Sequence, residues 1–372
     1  MIYIRDYNMT RRIKVMHFVS GLGNDGVTQV IKNYTSRLNR HYDIDNIIVY
    51  QHHVDRVDRA KLAELEIIGN RLYEIPYKLN HPFANLRDTY KLIKKEKPDI
   101  VHAHMSLLSF YPLSIAWLLR VKARIAHAHI AQDNVNPHLA KIFKRLNLIF
   151  ANHYIACGQA AGEYLFNGHD FDIMYNAIDQ DKYKFDLEKR KGLRKKLGIS
   201  DETIVFGTLG RLTKQKNQGF LIDVFNRYWK VNEDSKLIIV GVGELKDKLT
   251  QKIKANNQED NVIIVSGTND PESYYCAFDY FMLPSLYEGL PVSAVESQAS
   301  GVNMILSDNI DKEVRYNNNV VFVPINHGVD PWISAVNKLK PSYREKPSKD
   351  NKYNIEKQYS KIYRLYLDFI KD

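Results

Sequence analysis

The stretch Asp279–Gly301, DYFMLPSLYEGLPVSAVESQASG, decides the fold. Tyr280-Phe281-Met282-Leu283 is a short apolar run of the kind a buried strand needs. Pro284-Ser285 ends it, and Glu288-Gly289-Leu290-Pro291 opens a helix, with proline at a first-turn position where a missing N–H costs nothing. Val292, Val295 and Ala299 then recur at helical spacing. The first-turn amides of such a helix point beyond the strand's carboxyl end, where they can hold a phosphate. Glu288 lies in the turn and Glu296 inside the helix. A carboxylate beside a phosphate is repelled unless it accepts hydrogen bonds from hydroxyls, and sugar hydroxyls are the natural donors. The plain alternative is a capping glutamate and a solvated one.

Strand–turn–helix units continue on either side. Ile204–Leu209 ends in Gly210-Arg211, and a helix begins after Lys216-Asn217. Gly210 lets backbone approach closely, while Arg211 and Lys216 place two cations where a diphosphate would lie. Arginine binds phosphate through two parallel bonds and lysine as a point charge. Lys236–Val240, Asn261–Val265, Asn303–Leu306 and Val320–Val323 supply further strands.

The first half alternates in the same way. Ile13–Val19 runs into Ser20-Gly21-Leu22-Gly23-Asn24-Asp25-Gly26, a literal G-x-G-x-x-G ahead of a helix through Val27, Val30, Ile31, Tyr34 and Leu38. A dinucleotide site also needs an acid at the end of the next strand. That strand ends in Gln51-His52-His53, so a nicotinamide reading loses its support. Pro98–His104 and Arg124–His129 both end in H-x-H, which aims four imidazoles at the carboxyl edge of a parallel sheet, where open α/β folds bind ligands. Histidine-rich edges also bind metal, but no Asp, Glu or Cys is placed to complete a shell, and no metal is expected. Residues 138–150 form an amphipathic helix: Leu139, Ile142, Phe143, Leu146, Ile149 and Phe150 make one stripe, with Lys141, Lys144 and Arg145 off it. Packing against a domain core is the default for that stripe, and contact with anionic lipid headgroups is the sharper reading.

With 372 residues the chain is long enough for two domains. It has no apolar run of about 18 residues and no signal-peptide pattern at its start. Cys157 and Cys276 are far apart and outside any C-x-x-C, which suits a reducing cytoplasm. The net charge of +10 is spread along the chain without a helix-turn-helix, RNP or zinc-finger pattern. Nucleic acid is therefore not an expected partner, and a phosphorylated substrate or an anionic membrane surface is.

These motifs together resemble those of the retaining GT-B glycosyltransferases of family 4. Glu288 and Glu296 match the E-x7-E motif, Gly210–Asn217 matches G-R-L-x3-K-N, and Asn176-Ala177-Ile178-Asp179 matches N-x-[IV]-D. The glycine loop departs from the pattern, because Asp25 and Thr28 stand where Gly and Glu are common; Gly26 matches best. The resemblance implies an α/β fold of two Rossmann-like parallel-sheet domains facing across a cleft. Residues 1–175 would form the acceptor-side domain, joined by a C-terminal helix (355–372) that crosses back, and 176–354 the nucleotide-sugar domain.

The same resemblance assigns roles. Arg211, Lys216 and the amides after Leu290 would stabilise the leaving diphosphate. Glu288 would hold the donor sugar's hydroxyls, Glu296 the ribose, and His129 would orient the sugar. Gly26, Gly210, Gly289, Leu290, Pro291 and Val292 would line the donor, with Gly267 and Thr268 at the base. His104 and His127 would face the acceptor, with His102 packed in its strand. No metal is required, and the D-x-D strings Asp43-Ile44-Asp45 and Asp170-Phe171-Asp172 do not follow strands as a metal motif must. The implied reaction moves a sugar from a nucleotide diphosphate, a UDP-sugar, to a saccharide or lipid-linked saccharide in capsule or exopolysaccharide synthesis. It would run in the cytoplasm, at the inner face of the membrane. A UDP-sugar 2-epimerase of the same fold and a non-catalytic sugar-binding protein are the alternatives.

Overall fold

A computed structural model describes residues 12–23, 25–52, 57–133, 135–341 and 344–371; Asn24 and His53 of the motifs above lie outside these. The chain divides into two compact units, Met1–Met174 with Glu356–Asp372, and Tyr175–Ile355.

The first unit is built on a seven-stranded parallel sheet of order β3-β2-β1-β4-β5-β6-β7. The strands are β1 (Ile13–Phe18), β2 (Ile44–Gln51), β3 (Arg71–Ile75), β4 (Ile100–Ala103), β5 (Ala123–Ala128), β6 (His153–Ala156) and β7 (Asp172–Ile173). Strands β1, β2, β4 and β5 are almost wholly buried, which is why they read as continuous apolar runs rather than alternating ones. The order reverses at β1 and β4, the switch point whose carboxyl ends form a ligand-binding crevice in open α/β sheets. The helix Ile355–Phe369 joins this unit through its aromatic stripe. Tyr366 is fully buried, Tyr363 stacks on Tyr42 at 3.7 Å between ring centroids, and Phe369 stacks on His153 at 3.9 Å.

The second unit holds a six-stranded parallel sheet of order β10-β9-β8-β11-β12-β13. Its strands are β8 (Ile204–Leu209), β9 (Ser235–Val240), β10 (Val262–Val265), β11 (Tyr280–Leu283), β12 (Asn303–Ser307) and β13 (Val320–Val323). Phe206, Tyr228, Tyr280 and Trp332 anchor the core on one face. Asp279, the residue before β11, is held by two arginines of the helix Leu187–Lys196: Oδ1 meets Arg190 and Oδ2 meets Arg194, each at 2.7 Å. Oδ2 also accepts from the amide of Val205 at 2.8 Å. Arg194 is 1% exposed and spends its remaining donors on the carbonyls of Ala277, Ser200, Asp201 and Thr203. This buried pair is fully hydrogen-bonded, the condition under which such a pair can persist, and it clamps the lead-in helix to the start of β11.

Two expectations need correction. The helix after β11 begins at Val292, with Pro291 as its extended N-cap (φ −67°, ψ 120°) rather than its first helical residue. Also, the apolar stripe of the helix Pro137–Phe150 is only partly covered: Phe143 stacks on Phe110 and Phe150 meets Trp117, while Leu139, Ile142 and Ile149 are 47%, 52% and 60% exposed.

Candidate active site

In the second unit the turns after β8 and β11 are stitched together by three hydrogen bonds to main-chain carbonyls. The amide of Leu286 donates to the carbonyl of Gln215 (2.8 Å), the Gln215 side chain to the carbonyl of Tyr287 (3.0 Å), and the Asn217 side chain to the carbonyl of Pro284 (3.2 Å). The result brings Lys216 and Glu288 into contact, with Nζ 2.5 Å from Oε1, both side chains little exposed (13% and 10%). Ser285 Oγ donates to the same oxygen at 2.9 Å. The two residues expected to take a phosphate and a sugar thus hold each other. Arg211 is exposed beside them. Behind the pair, Asn176 of the N-A-I-D segment donates to the carbonyl of Leu290 at 2.6 Å and so shapes the Gly289–Pro291 turn. The helix from Val292 has no side-chain cap, which leaves its first amides open to a ligand.

Close approach of the turns depends on glycine at Gly241, just past β9. A Cβ there would lie 1.9 Å from the carbonyl oxygen of Gly210. Gly267, past β10, has φ +84°, a left-handed value that suits glycine. The hydroxyl of Thr268 accepts from the amide of Asp270 at 3.0 Å, within its own turn.

Glu296, expected to hold the ribose, lies deep beside two phenols. It is 7% exposed, and its two oxygens accept from Tyr183 (2.7 Å) and Tyr275 (2.8 Å). Burial pushes its carboxyl up from the ordinary range, against the two phenols, which favour the charged form. A carboxylate has about four lone-pair sites, so a further donor can be taken, but Glu296 is first a buried structural acceptor.

The glycine loop of the first unit also departs from its expected use. Asp25 caps the helix Gly26–His41, accepting from the amides of Val27 (3.0 Å) and Thr28 (3.1 Å) and from the hydroxyl of Thr28 (2.9 Å). The two departures from the glycine-loop pattern thus form one device, and the cap puts a negative charge where Gly26 was expected to meet a diphosphate. Asp45 of the first D-x-D string pairs with Arg71 at 2.6 Å, a structural use.

The histidines gather as expected, with a fifth. His17 on β1 joins His102 and His104 of β4 and its end, and His127 and His129 of β5 and its end. His17 Nδ1 lies 3.1 Å from His104 Nε2, and His104 Nδ1 lies 3.1 Å from His129 Nε2. Separately, His102 Nδ1 meets Tyr366 Oη (2.8 Å) and His102 Nε2 meets His127 Nδ1 (3.0 Å). Burial lowers all five, His17 to about 4 and His129 to about 3, so the rings are neutral near pH 7. His127, expected on the acceptor side, has no exposed surface and lies beneath that edge; His104 is 4% exposed, and His129 alone of the four expected rings is half-buried.

Two family models match this chain, Glycosyltransferase Family 4 over residues 24–182 and Glycosyl transferases group 1 over residues 189–349. The chain belongs to the family 4 glycosyltransferases. This glycosyltransferase is 26% identical over 313 residues to the glycosyltransferase EpsF of Bacillus subtilis, covering 81% of this chain and 80% of EpsF. It is 27% identical over 321 residues to the UDP-Gal:alpha-D-GlcNAc-diphosphoundecaprenol alpha-1,3-galactosyltransferase of Escherichia coli, covering 77% of this chain and 79% of that one. Among solved structures it is similar in fold to Anabaena HepE in complex with UDP-glucose, with TM-score 0.79 at 16% identity over 96% of this chain and 100% of that chain. Its own fold is GT-B, two Rossmann-like parallel-sheet domains.

Several residues that shape the glycosyltransferase's candidate site escaped the sequence reading. His17 and Asn46 are polar residues inside largely apolar strands, and that pattern was the available signal. Tyr183 and Tyr275, which hold Glu296, carried none.

Proposed function

We propose that this glycosyltransferase moves a sugar, with retention of configuration, from a UDP-sugar to a lipid-linked saccharide in the assembly of a surface polysaccharide. The observation that carries the reading is the Lys216–Glu288 pair, held at the carboxyl ends of β8 and β11 beside an uncapped helix N-terminus. Donor binding exchanges this contact: Lys216 and Arg211 take the diphosphate, and Glu288 takes sugar hydroxyls. As the bond from the anomeric carbon to the β-phosphate oxygen breaks, charge grows on that phosphate. Two cations and the amides of Val292 and Ser293 stabilise it electrostatically, so a metal is not required. The acceptor oxygen bonds to the same face of the anomeric carbon, and its proton passes to the departing phosphate. His129 orients the transferred sugar, and Glu296 contributes to the ribose end.

A UDP donor is supported by the names of the E. coli relative and of the HepE complex, and a lipid-linked acceptor by the diphosphoundecaprenol in the former. Attachment to an anionic membrane surface is supported by the outward apolar residues of the helix Pro137–Phe150, flanked by Lys141 and Arg145 and continued by exposed Trp117 and Leu118. Among the described residues no helix is long and apolar enough to cross a membrane.

The test is nucleotide release from a panel of UDP-sugars with undecaprenyl-diphosphate saccharides, with and without EDTA. Turnover should survive EDTA and require the acceptor. Lys216→Ala and Glu288→Gln should each lower it by more than about a hundredfold, the scale of one lost transition-state contact, while circular dichroism remains unchanged. Full activity in either variant refutes the assignment.

A further inference from the structure

The hydrogen-bond line that ends at His129 can be followed back to groups whose polarity is not in doubt. Main-chain carbonyls only accept. Leu65 O therefore receives Asn70 Nδ2–H (3.0 Å), and Ile68 O receives Asn39 Nδ2–H (2.9 Å). Asn39 Nδ2 also donates to Asn70 Oδ1 (3.1 Å), so Asn39 Oδ1 faces the other way and accepts from Asn46 Nδ2 (2.8 Å). Asn46 Oδ1 is then left to accept from His17 Nε2–H (3.0 Å). A neutral imidazole has one donor and one acceptor. His17 Nδ1 is therefore bare and must accept from His104 Nε2–H, whose Nδ1 in turn accepts from His129 Nε2–H. The direction passes without a break through three asparagines and three histidines. Asn46 and His17 are nearly fully buried (0% and 3%), so water does not compete along that part of the line.

We infer that this line holds His129 as the Nε2–H tautomer, so that its Nδ1 presents a bare lone pair and selects a hydroxyl donor on the substrate. This rests on the glycosyltransferase reading only for the identity of that hydroxyl as a sugar's. Asn39, Asn46, His17 and His104 are positioning residues: they touch no substrate and act through the ring they orient. Lowered basicity throughout the row keeps every member neutral, as such a line requires. Three rings converging on a cation, such as His104, His127 and His129, are the competing arrangement. It suits this geometry less well, since His104 has each of its nitrogens directed at a different ring.

The test uses the full chain labelled with 15N-histidine. Two-bond nitrogen–proton correlations distinguish the tautomers, and ring signals are assigned by single substitutions. His17, His104 and His129 should all carry the proton on Nε2. A proton on Nδ1 of His129, a metal-shifted nitrogen, or stoichiometric metal in the purified protein overturns the inference. Asn46→Leu removes the fixed acceptor, and His129 should then show both tautomers, with kcat/KM lowered roughly three- to tenfold, the worth of one neutral hydrogen bond. Wild-type spectra decide the matter even if Asn46→Leu does not fold. A single tautomer with no transfer from any donor would count against the proposed function alone, and transfer with a mixed His129 would count against this inference alone.

Discussion

Acidification should weaken the first unit through its imidazole row, and His17 sets the scale. Its ring is held at about 4 by burial, which outweighs the Asn46 hydrogen bond, against 6.5 for a free ring. A depressed value means the stabilising contribution is fully present above pH 6.5 and is lost as pH falls toward about 4. At pH 5 the unfolded ring is nearly all protonated while the buried one is roughly nine-tenths neutral, so the unfolded state gains about 2 kcal/mol relative to pH 7 from this residue. His102, His104 and His127 add in the same direction. The assay is urea unfolding at pH 7 and pH 5, compared between wild type and His17→Phe, which keeps an aromatic ring but does not titrate. Comparing the two pH values within each protein cancels the constant cost of the substitution. The wild-type loss should exceed the variant's by about 2 kcal/mol. Equal losses would mean that the ring is not a buried neutral base, and the argument fails.

Arg194→Met should cost about 1–3 kcal/mol, because it takes one charged donor from buried Asp279 and the shared donor from four carbonyls while Arg190 still holds Oδ1; thermal unfolding should show it, and adding Arg190→Met should deepen the loss. Tyr275→Phe should destabilise by about 1–3 kcal/mol by removing a donor from buried Glu296, whereas a change within error would show that Tyr183 suffices. Gly241→Ala must displace the Gly210 carbonyl and with it the turn bearing Arg211, so UDP affinity measured by calorimetry should fall. The exposed apolar stripe predicts sedimentation with phosphatidylglycerol vesicles at low salt, reduced by Ile142→Ser and lost at high salt; vesicle binding that ignores both changes argues against that surface.

The sheets were legible because doubly covered parallel strands are short continuous apolar runs, and Tyr280–Leu283 or Ile204–Leu209 can hardly be read otherwise. The N-terminal proline of the next helix was misplaced by one step, since its backbone angle suits either position and only ψ decides. Spacing identified Lys216 and Glu288 singly but could not show that they meet, because that depends on three hydrogen bonds between turns some seventy residues apart in sequence. The histidines of the two H-x-H strings were visible as a cluster. His17 was hidden by looking like one more strand residue, and the burial of His127 by the assumption that an edge position faces outward. The stripe of the helix Pro137–Phe150 shows the opposite limit: periodicity reveals a face but not what covers it.

The helix Ile355–Phe369 has a consequence for biosynthesis. Tyr366 caps a row of imidazoles whose strands leave the ribosome more than two hundred residues earlier. During translation the nascent first sheet must wait, with that flank bare, while the whole second unit is made. A premature stop anywhere near the 3′ end of the message would therefore damage the half of the protein that was synthesised first.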